Sequence, residues 1–128
     1  MSELKTQNQN LNPKANLRRR TYLFSLCIIK LVSTFPEKKV FWIIGDQLLR
    51  SATSIGANII EATASSSRRD FIRFYEIALK SANETVYWIS LLKDSGLVEL
   101  IKCEETIDEC SQISKMLGAS LLTLKNKR

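Results

Sequence analysis

The sequence predicts an all-α protein folded as an antiparallel up-down-up-down four-helix bundle. Apolar residues recur at spacings of three and four along four long segments, which is the period of an amphipathic helix. The 4 Gly and 2 Pro are too few for the many turns of a β-rich domain. With 128 residues and a hydrophobic fraction of 45%, the chain suits one domain with one core, which we assign to residues 17–128.

The first helix is predicted over residues 17–34. It follows a polar segment, residues 1–16, in which Pro13 and the many Asn and Gln side chains favour a disordered tail. Pro36 ends the helix, because the residue before a proline avoids helical geometry.

The second helix is predicted over residues 40–64. Its apolar stripe begins at Ile44 and ends at Ala62, at alternating spacings of three and four. Gly45 and Gly56 interrupt the helical pattern, either as tolerated weak points or as places where two helices approach closely.

The third helix is predicted over residues 68–95. Ser67 is a suitable N-cap with Asp70 in the first turn, and Gly96 is expected to close the helix at its other end. A heptad pattern predicts its buried stripe, which comprises Phe71, Phe74, Ala78, Ser81, Thr85, Trp88 and Leu92.

The fourth helix is predicted over residues 99–124, with an apolar face that runs from Ile107 to Leu124. Acidic residues dominate its start and basic residues follow its end. That order suits the helix dipole, because negative charge is stabilised at a helix N-terminus and positive charge at a C-terminus.

The composition argues against an enzyme. The chain has no His, and so lacks the commonest general base and the commonest metal ligand. Cys27, Cys103 and Cys110 show no paired metal-ligand spacing and are expected to be buried, reduced thiols of a cytosolic protein. No Gly-rich phosphate loop or nucleophile-elbow motif is present. We therefore expect no catalytic residue, no metal and no cofactor.

Neither a signal peptide nor a membrane span is predicted. The N-terminal segment is polar and has no apolar centre. The apolar run from Tyr22 to Val32 is interrupted by Ser25 and Lys30 and is too short to cross a bilayer. A cytoplasmic protein with no membrane partner is expected.

Positive charge is predicted at one end of the bundle. The formal net charge is +6, and the excess lies near the two termini. In this topology the start of the first helix, the turn between the second and third, and the end of the fourth meet at one end. That end, called the basic pole below, carries Lys14, Arg18, Arg19, Arg20, Arg68, Arg69, Arg73, Lys125, Lys127 and Arg128. The opposite, acidic pole is expected to carry Asp94, Glu99, Glu104, Glu105, Asp108 and Glu109.

Two interpretations of the basic pole remain open. Charges that flank helix ends can serve only solubility and dipole balance. That explanation does not account for residues 18–20 or for Arg68 and Arg69, because these cations lie at helix N-termini, where positive charge is disfavoured. The alternative is an anion-binding surface, with nucleic-acid phosphates as the favoured anions.

A polar line on the second helix lies beside its apolar stripe. If the second and third helices turn near Ser67, residues whose numbers sum to about 134 lie level with one another. Arg50 is then level with Glu84. Glu61 is level with Arg73 in the same way, which predicts two ion pairs and leaves no unpaired base for catalysis. Structural pairing is therefore favoured over catalysis or a subunit interface for the line, which comprises Gln47, Arg50, Ser54, Asn58 and Glu61.

The same region resembles a known family. The segment RSATSIGAN at residues 50–58 is similar to the signature of bacterial four-helix-bundle proteins, some of which are encoded by intervening sequences in large-subunit ribosomal RNA genes. The segments DFIRF at residues 70–74 and ETVYWISLL at residues 84–92, which includes Trp88, resemble the third helix of that family. The resemblance extends over about residues 22–124.

The resemblance implies a ring-like homopentamer without enzymatic activity. Oligomerisation is also indicated by Tyr75, Leu79 and Tyr87, which lie beside the predicted heptad stripe and which one bundle cannot easily bury. Related proteins are accessory proteins of diversity-generating retroelements, which associate with a reverse transcriptase and its RNA.

The resulting hypothesis is a non-enzymatic accessory module that binds nucleic acid or a nucleoprotein, with a reverse transcriptase as one candidate partner. Two alternatives are retained. One is a structural oligomeric scaffold for a protein partner, and the other is an intervening-sequence-encoded protein with no nucleic-acid role.

Overall fold

The structure, a computed structural model, describes residues 13–126, with side chains from residue 16 onward. Within that part of the chain it contains four α-helices and no strand, and consecutive helices pack against each other as an antiparallel four-helix bundle. The predicted fold class is therefore confirmed. The helices are α1 (Pro13–Ser33), α2 (Lys39–Ala64), α3 (Arg68–Asp94) and α4 (Leu100–Asn126).

The start of α1 differs from the prediction. The helix begins at Pro13, so residues 13–16, which the sequence assigned to a disordered tail, are helical. A proline is favourable at the first helical position, because its fixed φ suits the helix and its missing N–H has no acceptor there. Residues 1–12, the rest of the predicted tail, lie outside the described part of the chain.

The two ends of α3 follow the predicted signals. The Ser67 hydroxyl accepts a hydrogen bond from the Asp70 N–H at 3.1 Å, which makes it the N-cap. At the other end Gly96 adopts a φ of 74°, in the left-handed region that glycine adopts without a steric penalty.

The core contains most of the predicted faces of α2 and α4, and from the predicted stripe of α3 it contains Ala78, Thr85 and Leu92. The predicted α3 residues Phe71, Phe74, Ser81 and Trp88 are only partly buried. Their heptad faces the seam with α2, whereas α3 packs against both α2 and α4. The buried face therefore keeps Ala78, Thr85 and Leu92 and adds Tyr75, Ala82 and Ile89, each one position after a predicted residue.

Small residues bring α1 and α2 close together. A Cβ atom added at Gly56 would lie 3.3 Å from the Thr21 hydroxyl oxygen on α1. One added at Gly45 would lie 3.5 Å from side-chain atoms of Val32 and Phe35. Of the two interpretations of these glycines, the structure favours close helix approach.

Tyr75 corrects one part of the oligomer argument. Its side chain is 2% exposed and stacks on Phe71 with ring centroids 4.6 Å apart, so a single bundle does bury it. Tyr87, by contrast, remains 57% exposed on the outer face of α3. None of the described helices combines the length and the apolar character that crossing a membrane requires.

Candidate nucleic-acid interface

The basic pole joins segments that are distant in sequence. The Arg68 guanidinium, at the start of α3, donates a hydrogen bond to the Leu124 carbonyl near the end of α4. The Lys125 ammonium forms an ion pair with Glu76 at 2.7 Å, which links the same two helices. Arg18, near the start of α1, lines one groove with Ile60 near the end of α2. All four helices therefore contribute residues to this end of the bundle.

Arg20 does not belong to the basic pole surface, which corrects the prediction. Its Nε lies 2.7 Å from Oε2 of Glu109 on α4, and the two side chains are 11% and 2% exposed. Nη2 donates to the other carboxylate oxygen at 2.8 Å and also to Gln112. The hydrogen bonds with Glu109 raise the pKa of Arg20, against the opposing effect of burial. Since a buried carboxylate needs a partner, Arg20 is directed inward.

Glu109 is therefore also misplaced in the prediction, which put it at the acidic pole. It lies more than two turns into α4 and faces the core. The other acidic residues of that group, Asp94, Glu99, Glu104, Glu105 and Asp108, remain exposed at or near the opposite end of the bundle.

The remaining cations of the basic pole differ in their intramolecular contacts. The Nε atom of Arg73 lies 3.9 Å from Oδ1 of Asp70, and its Cζ atom lies 4.8 Å from the centroid of the Phe74 ring. Arg18 and Arg69 are exposed, and neither side chain has a hydrogen bond or ion pair with another described residue. Lys127 and Arg128 lie outside the described residues.

The described surface of the basic pole has an excess of positive charge. Its carboxylates are Glu61, Asp70 and Glu76, all at least partly exposed. More basic side chains than acidic ones therefore face solvent at this end, and the exposed basic residues are Arg18, Arg19, Arg68, Arg69, Arg73 and Lys125. A surface of this kind attracts polyanions at moderate ionic strength.

The two predicted ion pairs between α2 and α3 are not formed. Arg50 instead donates to Gln47 on its own helix at 3.0 Å. Glu84 accepts from the Trp88 indole N–H at 3.0 Å. Arg50 and Glu84 are exposed, because both point away from the seam although the helices have the expected register.

Glu61 and Arg73 are likewise not paired with each other. Both side chains are exposed, and the carboxylate nearest to Arg73 is that of Asp70 on its own helix. An exposed ion pair contributes little free energy, so a rotamer that points to solvent is no less stable than one that forms the pair.

Hydroxyl groups join α2 to α3 where the ion pairs were predicted. The Ser54 and Ser81 hydroxyl oxygens are 2.9 Å apart, and Thr85 donates to Ser51 at 2.9 Å. Asn58 adds a hydrogen bond from Nδ2 to the Ser54 hydroxyl at 3.0 Å. In the two pairs that cross between the helices, Ser54 with Ser81 and Ser51 with Thr85, the residue numbers sum close to 134. The register argument therefore holds, while the predicted ion pairs were wrong. Small hydroxyls suit a tight seam because their hydrogen bonds are completed without burying a charge.

A groove beside the basic pole was not predicted. It lies between α1 and α2 and encloses about 710 Å³. Tyr22, 63% exposed, stands in it. The signal in the sequence was the run of small residues on α2, but their effect depends on the distance to α1. The lining residues are Arg18, Arg19, Tyr22, Ser25, Thr53, Gly56, Ala57 and Ile60.

The two thiols of α4, Cys103 and Cys110, are buried in the core. Burial raises the pKa of Cys110 to about 12, and burial also raises the pKa of Cys103. The Cys110 thiol donates to the Ala82 carbonyl at 3.3 Å, which ties α4 to α3. Within residues 13–126, no three Cys, Asp or Glu side chains are grouped so that they could hold a metal ion.

By fold and surface, the molecule is a four-helix-bundle protein with one cationic end. The chain belongs to the 23S rRNA-intervening sequence protein family, whose model matches residues 14–119. It is similar to the crystal structure of a protein with unknown function from the S23 ribosomal protein family of Bacteroides thetaiotaomicron, with 35% sequence identity and a TM-score of 0.78. That match covers 82% of this chain and 97% of the other. The comparison with curated proteins gives no match.

Proposed function

We propose that this protein is a non-enzymatic module whose basic pole binds the phosphate backbone of nucleic acid. The observation that carries the proposal is the meeting of the N-termini of α1 and α3 with the C-terminus of α4 at one cationic end. Arg18 and Arg69 supply the charge, since neither is neutralised by a described carboxylate. Phosphate neutralisation with release of counterions would supply the binding free energy.

Assembly would strengthen such a contact. We propose that the protein is a homo-oligomer, with a ring-like pentamer as the form that the family resemblance favours. The supporting feature is the outer face of α3, where Ile77, Tyr87 and Leu91 leave apolar surface exposed. Repeating the basic pole in each subunit would multiply a weak contact by avidity.

The physiological partner is a further part of the proposal. A reverse transcriptase with its RNA is the candidate that the resemblance to retroelement accessory proteins supplies. The name of the family supplies another, an association with 23S ribosomal RNA genes. The gene neighbourhood separates them, because a template repeat beside a reverse transcriptase gene favours the first and a position inside a ribosomal RNA gene favours the second. Either setting is consistent with a cytoplasmic protein whose core thiols are reduced.

The proposal is tested by a binding titration, with fluorescence anisotropy of labelled RNA and DNA at two salt concentrations. The variant is Arg18→Ala/Arg69→Ala, chosen because Arg20 is held by Glu109. We expect it to weaken binding at low salt and to lower the slope of log K against log salt by about 2.

The matched control is Lys38→Ala/Lys39→Ala, which removes two exposed cations at the opposite pole. It should leave affinity unchanged. The proposal fails if the wild-type protein binds neither nucleic acid at low salt, or if the two double variants lose affinity equally. The apolar face of α3 would then favour a scaffold for a protein partner.

A further inference from the structure

We infer that the groove between α1 and α2 receives an unpaired nucleobase, so that the protein prefers single-stranded nucleic acid to a perfect duplex. The inference rests on the proposed function and names its ligand more closely. It concerns the groove beside the basic pole, which phosphate binding alone does not require.

Tyr22 is the central residue of the argument. A tyrosine so exposed is unusual in a bundle, because aromatic side chains normally bury most of their surface. Its ring makes no aromatic contact with another described residue. Because the side chain is 63% exposed and lines the groove, its ring is accessible to a base. Stacking of a base on such a ring stabilises single-strand binding irrespective of sequence.

The groove has dimensions and walls that suit a base. Its volume of about 710 Å³ lies within the range of roughly 300–1,000 Å³ that is typical of small-ligand sites. Gly56 and Ala57 contribute small apolar surfaces to its lining. A side chain at Gly56 would fill the space beside Thr21, so the glycine keeps that space open.

Two hydroxyl groups in the groove provide polar contacts. Ser25 donates to the Thr21 carbonyl at 3.1 Å, and Thr53 donates to the Leu49 carbonyl at 2.8 Å. With their hydrogens used within the helices, both oxygens still present lone pairs to the groove. They can accept from the amino group of a base, although two acceptors are too few to read a sequence.

Charge favours a nucleotide as the occupant. Arg18 and Arg19 line the groove at its basic-pole end, and no carboxylate lines it. A base seated on Tyr22 would place its own phosphate towards Arg18, which lies one helical turn away on the same face of α1. The groove and the basic pole are thus continuous, and a single strand could occupy both.

The experiment compares a 12-nucleotide single-stranded RNA with the duplex of the same sequence, by anisotropy at fixed salt. Tyr22→Ala should weaken single-strand binding about tenfold and change duplex binding less than about twofold. Tyr22→Phe should keep the wild-type affinity, because the ring remains. The matched control is Trp42→Ala, which removes an equally exposed aromatic residue (59%) near the opposite pole and should have no effect. RNA that carries 4-thiouridine should crosslink to the peptide that contains Tyr22.

The outcomes separate the two claims. If the wild type binds neither RNA, the proposed function fails and the inference fails with it. If it binds both forms and Tyr22→Ala matches the wild type, only the inference is overturned. If an acidic amphipathic peptide binds in a Tyr22-dependent manner while single-stranded RNA binding ignores Tyr22, the groove is a protein-docking site and the inference is likewise overturned. Circular dichroism of each variant verifies folding.

Discussion

Arg20 and Glu109 form a two-point ion pair between the first and last helices of the bundle. Nε and Nη2 of the guanidinium lie 2.7 and 2.8 Å from the two carboxylate oxygens. The third nitrogen, Nη1, donates a hydrogen bond to the Met116 sulfur at 3.3 Å. α1 packs mainly on α2, and this charge-assisted pair joins it to α4 as well.

Removing the cation from this pair should be strongly destabilising. Arg20→Met leaves the Glu109 carboxylate buried without its partner, and we expect the free energy of unfolding to fall by roughly 3–5 kcal/mol. Chemical denaturation monitored by circular dichroism measures the change. Arg18→Met, which changes an exposed arginine two positions away, should alter stability by less than about 0.5 kcal/mol.

The double variant Arg20→Met/Glu109→Met provides the complementary test. Since it replaces both charges with apolar side chains, it should recover most of the stability that the single variant loses. A double variant as unstable as Arg20→Met would show that packing, and not the unpaired carboxylate, explains the loss.

Stability should fall at alkaline pH because of Cys110. Burial, with a smaller effect of Glu109, raises the pKa of its thiol from the ordinary value of 9.0 to about 12. Above pH 9 the unfolded chain releases this proton while the folded chain keeps it, so unfolding becomes more favourable as the pH rises towards 12. The loss is at most about 1.4 kcal/mol per pH unit.

The measurement is the difference in unfolding free energy between pH 8 and pH 10. Wild type should lose roughly 1 kcal/mol more than Cys110→Ala over this interval. Equal pH dependence in wild type and Cys110→Ala would contradict the assignment.

Two glycines should respond in opposite directions to the same substitution. Gly118 lies inside α4 with open space where a Cβ would go, so Gly118→Ala should stabilise the protein by about 0.5–1 kcal/mol. Gly96 has a φ of 74°, and Gly96→Ala should destabilise it by about 1–2 kcal/mol although no atom lies nearby. Thermal melts should show a higher melting temperature for Gly118→Ala and a lower one for Gly96→Ala than for the wild type. Shifts of the same sign in both variants would contradict the prediction.

The outer face of α3 is expected to be the subunit contact. Light scattering at micromolar concentration should show an oligomer, with the mass of a pentamer as the proposed form. Tyr87→Glu places a charge in that face and should reduce the mass. Leu122→Glu, at an exposed apolar residue on α4, should not. A wild-type protein that is only monomeric would rule out the oligomer. A larger loss of mass with Leu122→Glu than with Tyr87→Glu would assign the subunit contact to α4 instead of α3.

The sequence was sufficient for the topology, the register of α2 against α3 and the two ends of α3. These features depend on local signals, such as the Ser67 cap and Gly96, or on periods of three and four. Orientation of charged side chains is not local in this sense. Arg50 and Glu84 are level, as predicted, but each side chain points to solvent and bonds within its own helix instead of reaching the other. Periodicity does not encode that choice of rotamer.

Glu109 illustrates a signal that was present in the sequence. It stands within an acidic run at the start of α4, which suggested a solvated end. It also lies three positions after Thr106 and four before Ile113, both of which are buried, and this spacing places it on the inward face. Its partner, Arg20, is distant in sequence and lies in a run of three arginines, so the pairing could be found only from the packing of α1 on α4.

The hydrogen bond from Arg68 to the Leu124 carbonyl makes the basic pole a point of thermodynamic linkage. A helix C-terminus leaves carbonyl groups without partners within the helix, and this guanidinium satisfies one of them. An anion that binds Arg68 must compete with that carbonyl. Anion binding is therefore thermodynamically coupled to fraying of the last turn of α4. By reciprocity, a substitution that destabilises this turn would release Arg68 and increase the affinity for the anion. Anion binding would in turn speed hydrogen exchange at the last amides of α4, although these amides do not contact the anion.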